Sequence, residues 1–330
     1  MKVSLKRFIA PSIPLSVLMV IITVIIWTAG FIFAGDVSRP ELNSPLAKAI
    51  ENVFSYSFFV NLASLLITLL NALLITQLNN RFTIIRTRTF LPVIVFLLLI
   101  AGWNDTHEVV CSHFALTLLI MSLFVFFDMF RNRQASEQAF LGSLLIATGS
   151  LFIEPLILFL PVCWIGFIRL YSFSLRTWLA SIFGGLVPWI FYFAIRYYLQ
   201  PDMLWVSDLF SGFETGWPIL TRPLNEIIYI ACLFVIIVIG LTGLFSNLHS
   251  DSIQTRAKLS YLLILLISSF VFSMIFVNQY VVFKPFIALG YALLIAHPFT
   301  LKSSNFYGVL FIAFTVVNIA YVISNIILRY

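Results

Sequence analysis

The sequence predicts an all-α, polytopic bundle of transmembrane helices, and three observations predict it. The chain is 61% hydrophobic and only 10% charged, where soluble domains carry roughly 25% charged residues. Its mean hydropathy is +1.06. Apolar stretches close to the roughly 20 residues that cross a bilayer recur from residue 11 to the C-terminus. No polar segment is long enough for a soluble domain; the longest runs only from Gln200 to Asn225. Residues 1–330 therefore read as a single integral membrane domain.

About 11 spans are expected, at 11–34, 57–78, 89–102, 114–130, 139–153, 155–168, 177–199, 226–246, 259–277, 285–299 and 306–328. The first follows the basic stretch MKVSLKRF and is too long for the apolar part of a signal peptide, so it is expected to be an uncleaved helix. The third, fifth, sixth and tenth are short, which suits half-helices lining a cavity. With the N-terminus in the cytoplasm, thirteen Lys and Arg lie inside and six outside, out of 19, as the positive-inside rule expects. The 35 Phe, 7 Trp and 12 Tyr fit lipid-facing and interfacial positions. The three cysteines, Cys111, Cys163 and Cys232, give no disulfide framework, and the net charge of +6 comes from loops that set topology, so no nucleic-acid partner is implied.

The stretch 139–168 has two readings. As one straight helix its 30 residues would reach about 45 Å at 1.5 Å per residue, against a hydrocarbon core about 30 Å thick. Pro155 and Pro161 also interrupt it. A hairpin turning near Glu154-Pro155 leaves Arg133 and Arg169 on one side. A single bent span inverts everything downstream and gives twelve basic residues inside against seven outside, so charge hardly separates the two. The segment 200–225, with one Arg, three acids and two Trp, suits the outer face.

The first outer loop has structure of its own. Ser44 is placed to cap a helix, with Pro45 at its first position. Leu46, Ile50, Val53 and Phe54 then share a face, which predicts a short amphipathic helix lying along the membrane surface. The plainer alternative is a lead-in to the second span.

Four groups of residues stand out. Glu154 is the one acid within a long apolar run; an ionised carboxylate there is costly, which marks it as a candidate base, proton carrier or ligand. At a hairpin tip it would simply be solvated. Asp36 and Glu41 follow the first span and are candidate catalytic carboxylates, or else ordinary boundary residues. Arg39, Arg196, Arg222 and Lys284, with Lys48, are the basic residues expected on the outer side. They suit a phosphate or pyrophosphate headgroup, or plain snorkelling to lipid phosphates. Asp105, His107, Glu108, Cys111 and His113 lie within nine residues, but their spacing matches no standard zinc signature, and no metal is expected. The chain has no phosphate-binding P-loop, G-x-S-x-G, H-E-x-x-H or C-x-x-C motif. Nothing calls for a cofactor.

Two resemblances accompany these residues. The size, the Phe-rich composition and the basic loop before a Leu-Pro span (RTRTFLPVIVFLLL) resemble inner-membrane proteins of Bacteroidota. The layout is similar to the GT-C class of polytopic glycosyltransferases: Asp36 and the segment 44–55 occupy the places of that class's catalytic acid and surface helix, and QAFLGSLLIATGSLFIEPLILFLPVCWIG resembles a core hairpin. The class's paired acidic motif is absent, since Val37 and Ser38 follow Asp36. The resemblance implies a transferase of the bacterial inner membrane that takes a sugar from a polyprenyl-phosphate carrier at the outer face. It casts Asp36 or Glu41 as base, Glu154 as a second polar group, and Arg196, Arg222 or Lys284 as a clamp on the carrier phosphate. A transporter or flippase built on Glu154, and a non-catalytic subunit of an envelope complex, are the competing readings. Membrane lipids are the partners expected in every case.

Overall fold

The computed structural model describes residues 13–33, 44, 46–48, 50, 56–85, 89–199, 213–216, 222–247, 251–276, 279–301 and 305–327. These residues form helices with no strand; one isolated antiparallel bridge pairs Thr215 with Phe276. The helices are α1 (Ile13–Phe33), α2 (Ser57–Phe82), α3 (Leu91–Gly102), α4 (Val110–Asp128), α5 (Ser136–Ser150), α6 (Phe159–Arg169), α7 (Leu175–Leu199), α8 (Leu224–Asn247), α9 (Ile253–Ile275), α10 (Tyr280–Leu301) and α11 (Asn305–Ile327). Each coincides with an apolar stretch read from the sequence. Among the described residues seven helices are long and apolar enough to cross a membrane: α2, α4 and α7 to α11. α3, α5 and α6 are shorter, at 12, 15 and 11 residues.

Helix is the form apolar segments take in a bilayer, because it satisfies every backbone group internally. α3 (LPVIVFLLLIAG) is apolar all round and, with Pro92 in its first turn, begins without losing a needed hydrogen bond. A helix apolar on every face belongs inside, and nearly all of α3 is buried. It packs on α10, the most buried of the long helices. These two form the centre of the bundle.

A polar seam sets the direction of two neighbours. α2 buries Asn61, Ser64, Thr68 and Asn71 at alternating spacings of three and four, hence on one face. That face meets α4. Asn71 Nδ2 donates to the His113 carbonyl at 3.1 Å, and Thr117 Oγ1 donates to Asn71 Oδ1 at 2.8 Å. Ser57 Oγ donates to Glu108 at one end (3.0 Å), and Arg81 pairs with Asp128 at the other (2.7 Å). α2 and α4 therefore run the same way. The Arg81–Asp128 pair is exposed on both sides, 58% and 43%, so it contributes well under about 1 kcal/mol. The C-terminus of α2 stops at Thr83 in the left-handed region (φ 47°). Buried Lys258 reaches across from α9 to donate to the Phe82 carbonyl at 3.0 Å, taking up an acceptor the helix end leaves free.

The stretch 139–168 is a hairpin. α5 climbs to Ser150, a 3-10 turn over Glu154–Leu158 with Pro155 at its start reverses the chain, and α6 descends. Its feet meet: Arg131 N donates to the Leu170 carbonyl at 2.9 Å, and Ser174 Oγ donates to the Arg133 carbonyl at 2.8 Å. The bent-span alternative is therefore excluded. α7 follows, lying against α5 so closely that a Cβ on Gly184 would overlap the Phe140 backbone.

Ser44, Ser57, the turn 103–109, the tip of the hairpin, the strand-like contact at 215 and 276, and the starts of α8 and α10 share one end of the bundle. Asp128, the hairpin feet and the Asp251–His297 pair (3.5 Å) lie at the other. The expected surface helix is described only at 46–48 and 50, which are helical. Ser44 Oγ donates to the Phe152 carbonyl at 2.5 Å, and Leu46 N donates to the Leu151 carbonyl at 3.0 Å. The segment is thereby tied to the hairpin tip.

Candidate functional site

Lys284 stands in the second turn of α10, only 2% exposed. An ammonium so placed needs charged partners, and the fold supplies two. Glu226, in the first turn of α8, accepts from Lys284 Nζ at 2.7 Å. Asp105, in the 3-10 turn Asn104–Thr106 between α3 and α4, accepts through Oδ2. Tyr280 Oη donates to Glu226 Oε1 at 3.2 Å. The Arg222 guanidinium lies 4.2 Å from the Tyr280 ring centroid, and the Trp103 ring lies 5.8 Å from Lys284 Nζ. The local charges, Lys284 and Arg222 against Asp105 and Glu226, sum to zero. Below them Tyr229 donates to Asn318 Oδ1 at 2.7 Å and stacks on Tyr321 at 3.9 Å, locking α8 to α11.

This cluster closes the head of an apolar trough. α8 and α9 each pack against α10 but hardly touch each other, so α10 forms a floor between two walls. Lys284, Ile287 and Tyr291 line the floor at helical spacing. Ile230, Leu233, Phe234, Ile237, Val238 and Leu241 line one wall; Leu263, Leu266, Ile267, Phe270 and Met274 line the other. The cavity holds about 280 Å³. Phe234, Val238 and Ile267 at its opening are exposed to the bundle's surroundings. From Ile230 to Leu241 the wall extends about 16 Å at the helical rise of 1.5 Å per residue.

Glu154 forms a second group at the same end. The hairpin does not bring it to solvent, as a tip position suggests: it is 0% exposed. Neither carboxyl oxygen has a hydrogen-bond partner among the described residues. Burial pushes its pKa from an ordinary 4.5 up to about 7, against the opposing effect of its own backbone N–H and of Lys48. The N–H is close enough to oppose the shift without reaching hydrogen-bond geometry. Tyr192 of α7 lies within electrostatic reach of both Glu154 and Arg196, and Trp189 Nε1 donates to Ser150 Oγ at 2.8 Å to hold α7 there.

The structure thus groups Arg222 with Lys284 through the Tyr280 ring, while Arg196 and Glu154 each act on Tyr192. Asp36, Arg39 and Glu41 lie outside the described residues. The five residues once considered for zinc go separate ways. Asp105 joins Lys284, and Glu108 accepts from Ser57. His107 stacks under Trp27 at 3.6 Å. Its Nε2 contacts the Ile100 carbonyl at 3.2 Å, and burial pulls its pKa down to about 3, so it stays neutral. His113 contacts Thr68 at 3.1 Å and the Thr106 carbonyl at 3.1 Å. Cys111 is buried at the start of α4. Glu226, Tyr280 and Trp103 escaped notice in the sequence because each sits at a span boundary, where polar and aromatic residues are ordinary. The available signal was pairing: a Glu opening one span and a Lys opening another at the same end of the bundle.

No protein-family model matches the chain, and neither a curated protein nor a solved structure is similar to it.

The raised Glu154 pKa has a sign. Because the folded state holds the proton more tightly than the unfolded chain, its stabilising effect is complete below about 4.5 and is lost as pH rises through about 7. The loss amounts to about 3 kcal/mol over that window. Thermal melts in detergent from pH 4.5 to 8 are expected to show this decline, and Glu154→Gln is expected to flatten it. Equal pH slopes in the two proteins would remove Glu154 from the account.

Proposed function

We propose that this multi-pass membrane protein acts on a lipid-linked substrate at the end of the bundle that carries Lys284 and Glu154. The observation that carries the reading is the trough: an apolar cavity of about 280 Å³ between α8, α9 and α10, with Phe234, Val238 and Ile267 exposed to the surroundings and Lys284, Tyr280 and Trp103 in its lining. Ligand sites are typically apolar concavities with few, well-placed polar groups. A lipid chain along α8 and α9 would bring its head to Lys284, Tyr280 and Trp103 without leaving the membrane.

In the finer reading, the protein is a transferase of the bacterial inner membrane that takes a sugar from a polyprenyl-phosphate carrier. The asymmetry of Lys and Arg supports placing the site end outside, the N-terminus in the cytoplasm, and about 11 spans in all. Asp36 or Glu41 is the base, Arg39, Arg196 and Arg222 bind headgroups, and Glu154 is the second polar group. Transport is the second reading. Glu154 favours it, because a buried carboxyl with no hydrogen-bond partner among the described residues is suited to carrying a proton. The two separate on one variant: Glu154→Gln shifts the pH dependence of flux in a transporter.

A polyprenyl phosphate carrying a diazirine on its chain is expected to label α8 between Ile230 and Leu241 and α9 between Leu263 and Met274. Val238→Trp fills the trough and is expected to lower that labelling at least tenfold, with labelling of the exposed face of α7 unchanged. Labelling that ignores Val238→Trp and favours α7 equally overturns the reading. For the chemistry, Asp36→Asn is expected to abolish the glycan product at normal protein level. Normal glycan in that variant excludes Asp36 as the base.

A further inference from the structure

The feet of the hairpin gather arginines. Arg131 and Arg133 lie between α4 and α5, Arg169 ends α6, and Arg176 stands in the first turn of α7. Two contacts draw these segments together: Arg131 N donates to the Leu170 carbonyl at 2.9 Å, and Ser174 Oγ donates to the Arg133 carbonyl at 2.8 Å. Each arginine takes part in one of these contacts or lies within two residues of it. All four are exposed, and none forms an ion pair among the described residues. Two acids accompany them. Asp128 is engaged by Arg81, which leaves Glu137 against four guanidinium groups. The start of α7 adds the positive end of a helix dipole, a poor place for Arg176 unless an anion is near.

The backbone here is unusual. Arg131 (φ 60°) and Tyr171 (φ 58°) occupy the left-handed region, and neither is glycine. That conformation is costly for a residue with a side chain and gathers at functional sites. The Arg131 guanidinium lies 5.4 Å from the Phe130 ring centroid, and Phe130 meets Tyr171 edge-on at 6.4 Å. Tyr171 and Phe173 are exposed. Aromatic and basic residues side by side are characteristic of the headgroup layer of a bilayer. α4 and α7 are each long and apolar enough to cross a membrane, so the end of one and the start of the other meet that layer. Topology asks only that these charges lie on one side. The fold goes further: it joins them in one place and leaves them without acids.

We propose that the hairpin feet bind the anionic headgroup of a phospholipid, at the end of the bundle opposite Lys284 and Glu154. Guanidinium groups match phosphate oxygens in geometry as well as charge. Ile168 and Leu175, exposed beside the arginines, offer the lipid's chains an apolar surface. The proposal is independent of what the trough binds.

The test counts lipids on the full-length protein in neutral detergent by native mass spectrometry. Dioleoylphosphatidylglycerol is expected to bind about tenfold more tightly than dioleoylphosphatidylcholine, each arginine contributing about fivefold at most. Arg131→Gly combined with Arg133→Gln is expected to erase most of that preference. Glycine adopts φ 60° freely, so the melting temperature without lipid is expected to hold. Arg169→Gln combined with Arg176→Gln reads out the same loss from the other side of the contacts and keeps the test open if the first variant is unstable. Lysine at 131 and 133 is expected to retain most of the preference. Equal binding of the two lipids, or a preference that survives both double variants, overturns the proposal. An equal loss from Lys2→Gln combined with Lys6→Gln, which removes the same charge ahead of α1, shows diffuse attraction and overturns it too. Displacement of phosphatidylglycerol by millimolar inorganic phosphate assigns the arginines to a soluble anion instead.

Discussion

The placement of Lys284 constrains more of this molecule than any other side chain. An ammonium buried among helices needs opposite charge at contact distance, and leaving it unpaired costs several kcal/mol. Its two partners come from elements far apart in sequence: Asp105 from the turn after α3, and Glu226 from the first turn of α8. One side chain thereby fixes the tops of the two central helices and a peripheral one. Ser112 adds a third tie, donating to the Val282 carbonyl at 2.6 Å and seating α4 on the start of α10. Pro285, directly after Lys284, lacks the N–H that would bond the Val281 carbonyl. The first turns of α10 are therefore held by side chains from neighbouring helices as well as by the helix itself.

The trough follows from that arrangement. With α8 tied to α10 at its first turn and α9 packed along α10 on another side, the two walls diverge around a common floor. Their facing residues recur every three or four positions, so the lining stays apolar along its length. The polar groups gather at one end because the pairing with Lys284 draws them there. A surface that is apolar along its length and polar at one end has the shape of an amphiphile.

Two other polar features obey the same rule of satisfaction with different results. The α2–α4 seam pairs Asn71, His113, Thr117 and Thr68 with one another, which binds helices together where the hydrophobic effect cannot distinguish neighbour from lipid. Glu154 is the exception. The hairpin tip, tied to the segment that begins at Ser44, buries its carboxyl, and neither oxygen has a hydrogen-bond partner among the described residues. A group held this way stores unfavourable energy that a proton or a ligand relieves. Such residues are found where function requires them.

By itself the sequence determined the class of fold and the identity of its elements. Continuous apolar segments in a bilayer have few structural options, so composition and segment length sufficed to locate the helices. It also marked Glu154, Arg196, Arg222 and Lys284 as unusual, because charge in or beside apolar segments is visible one residue at a time. Only the tertiary structure decided which of them meet. That Lys284 faces Asp105, 179 positions away, depends on how α3, α8 and α10 pack, and apolar helices carry little in their own patterns to set that choice. The hairpin at Glu154 was open for the same reason: basic residues are counted by side, and the two readings placed nearly equal numbers on each. Contact between Arg131 and Leu170 closes that question through a backbone hydrogen bond, which no count of charges contains.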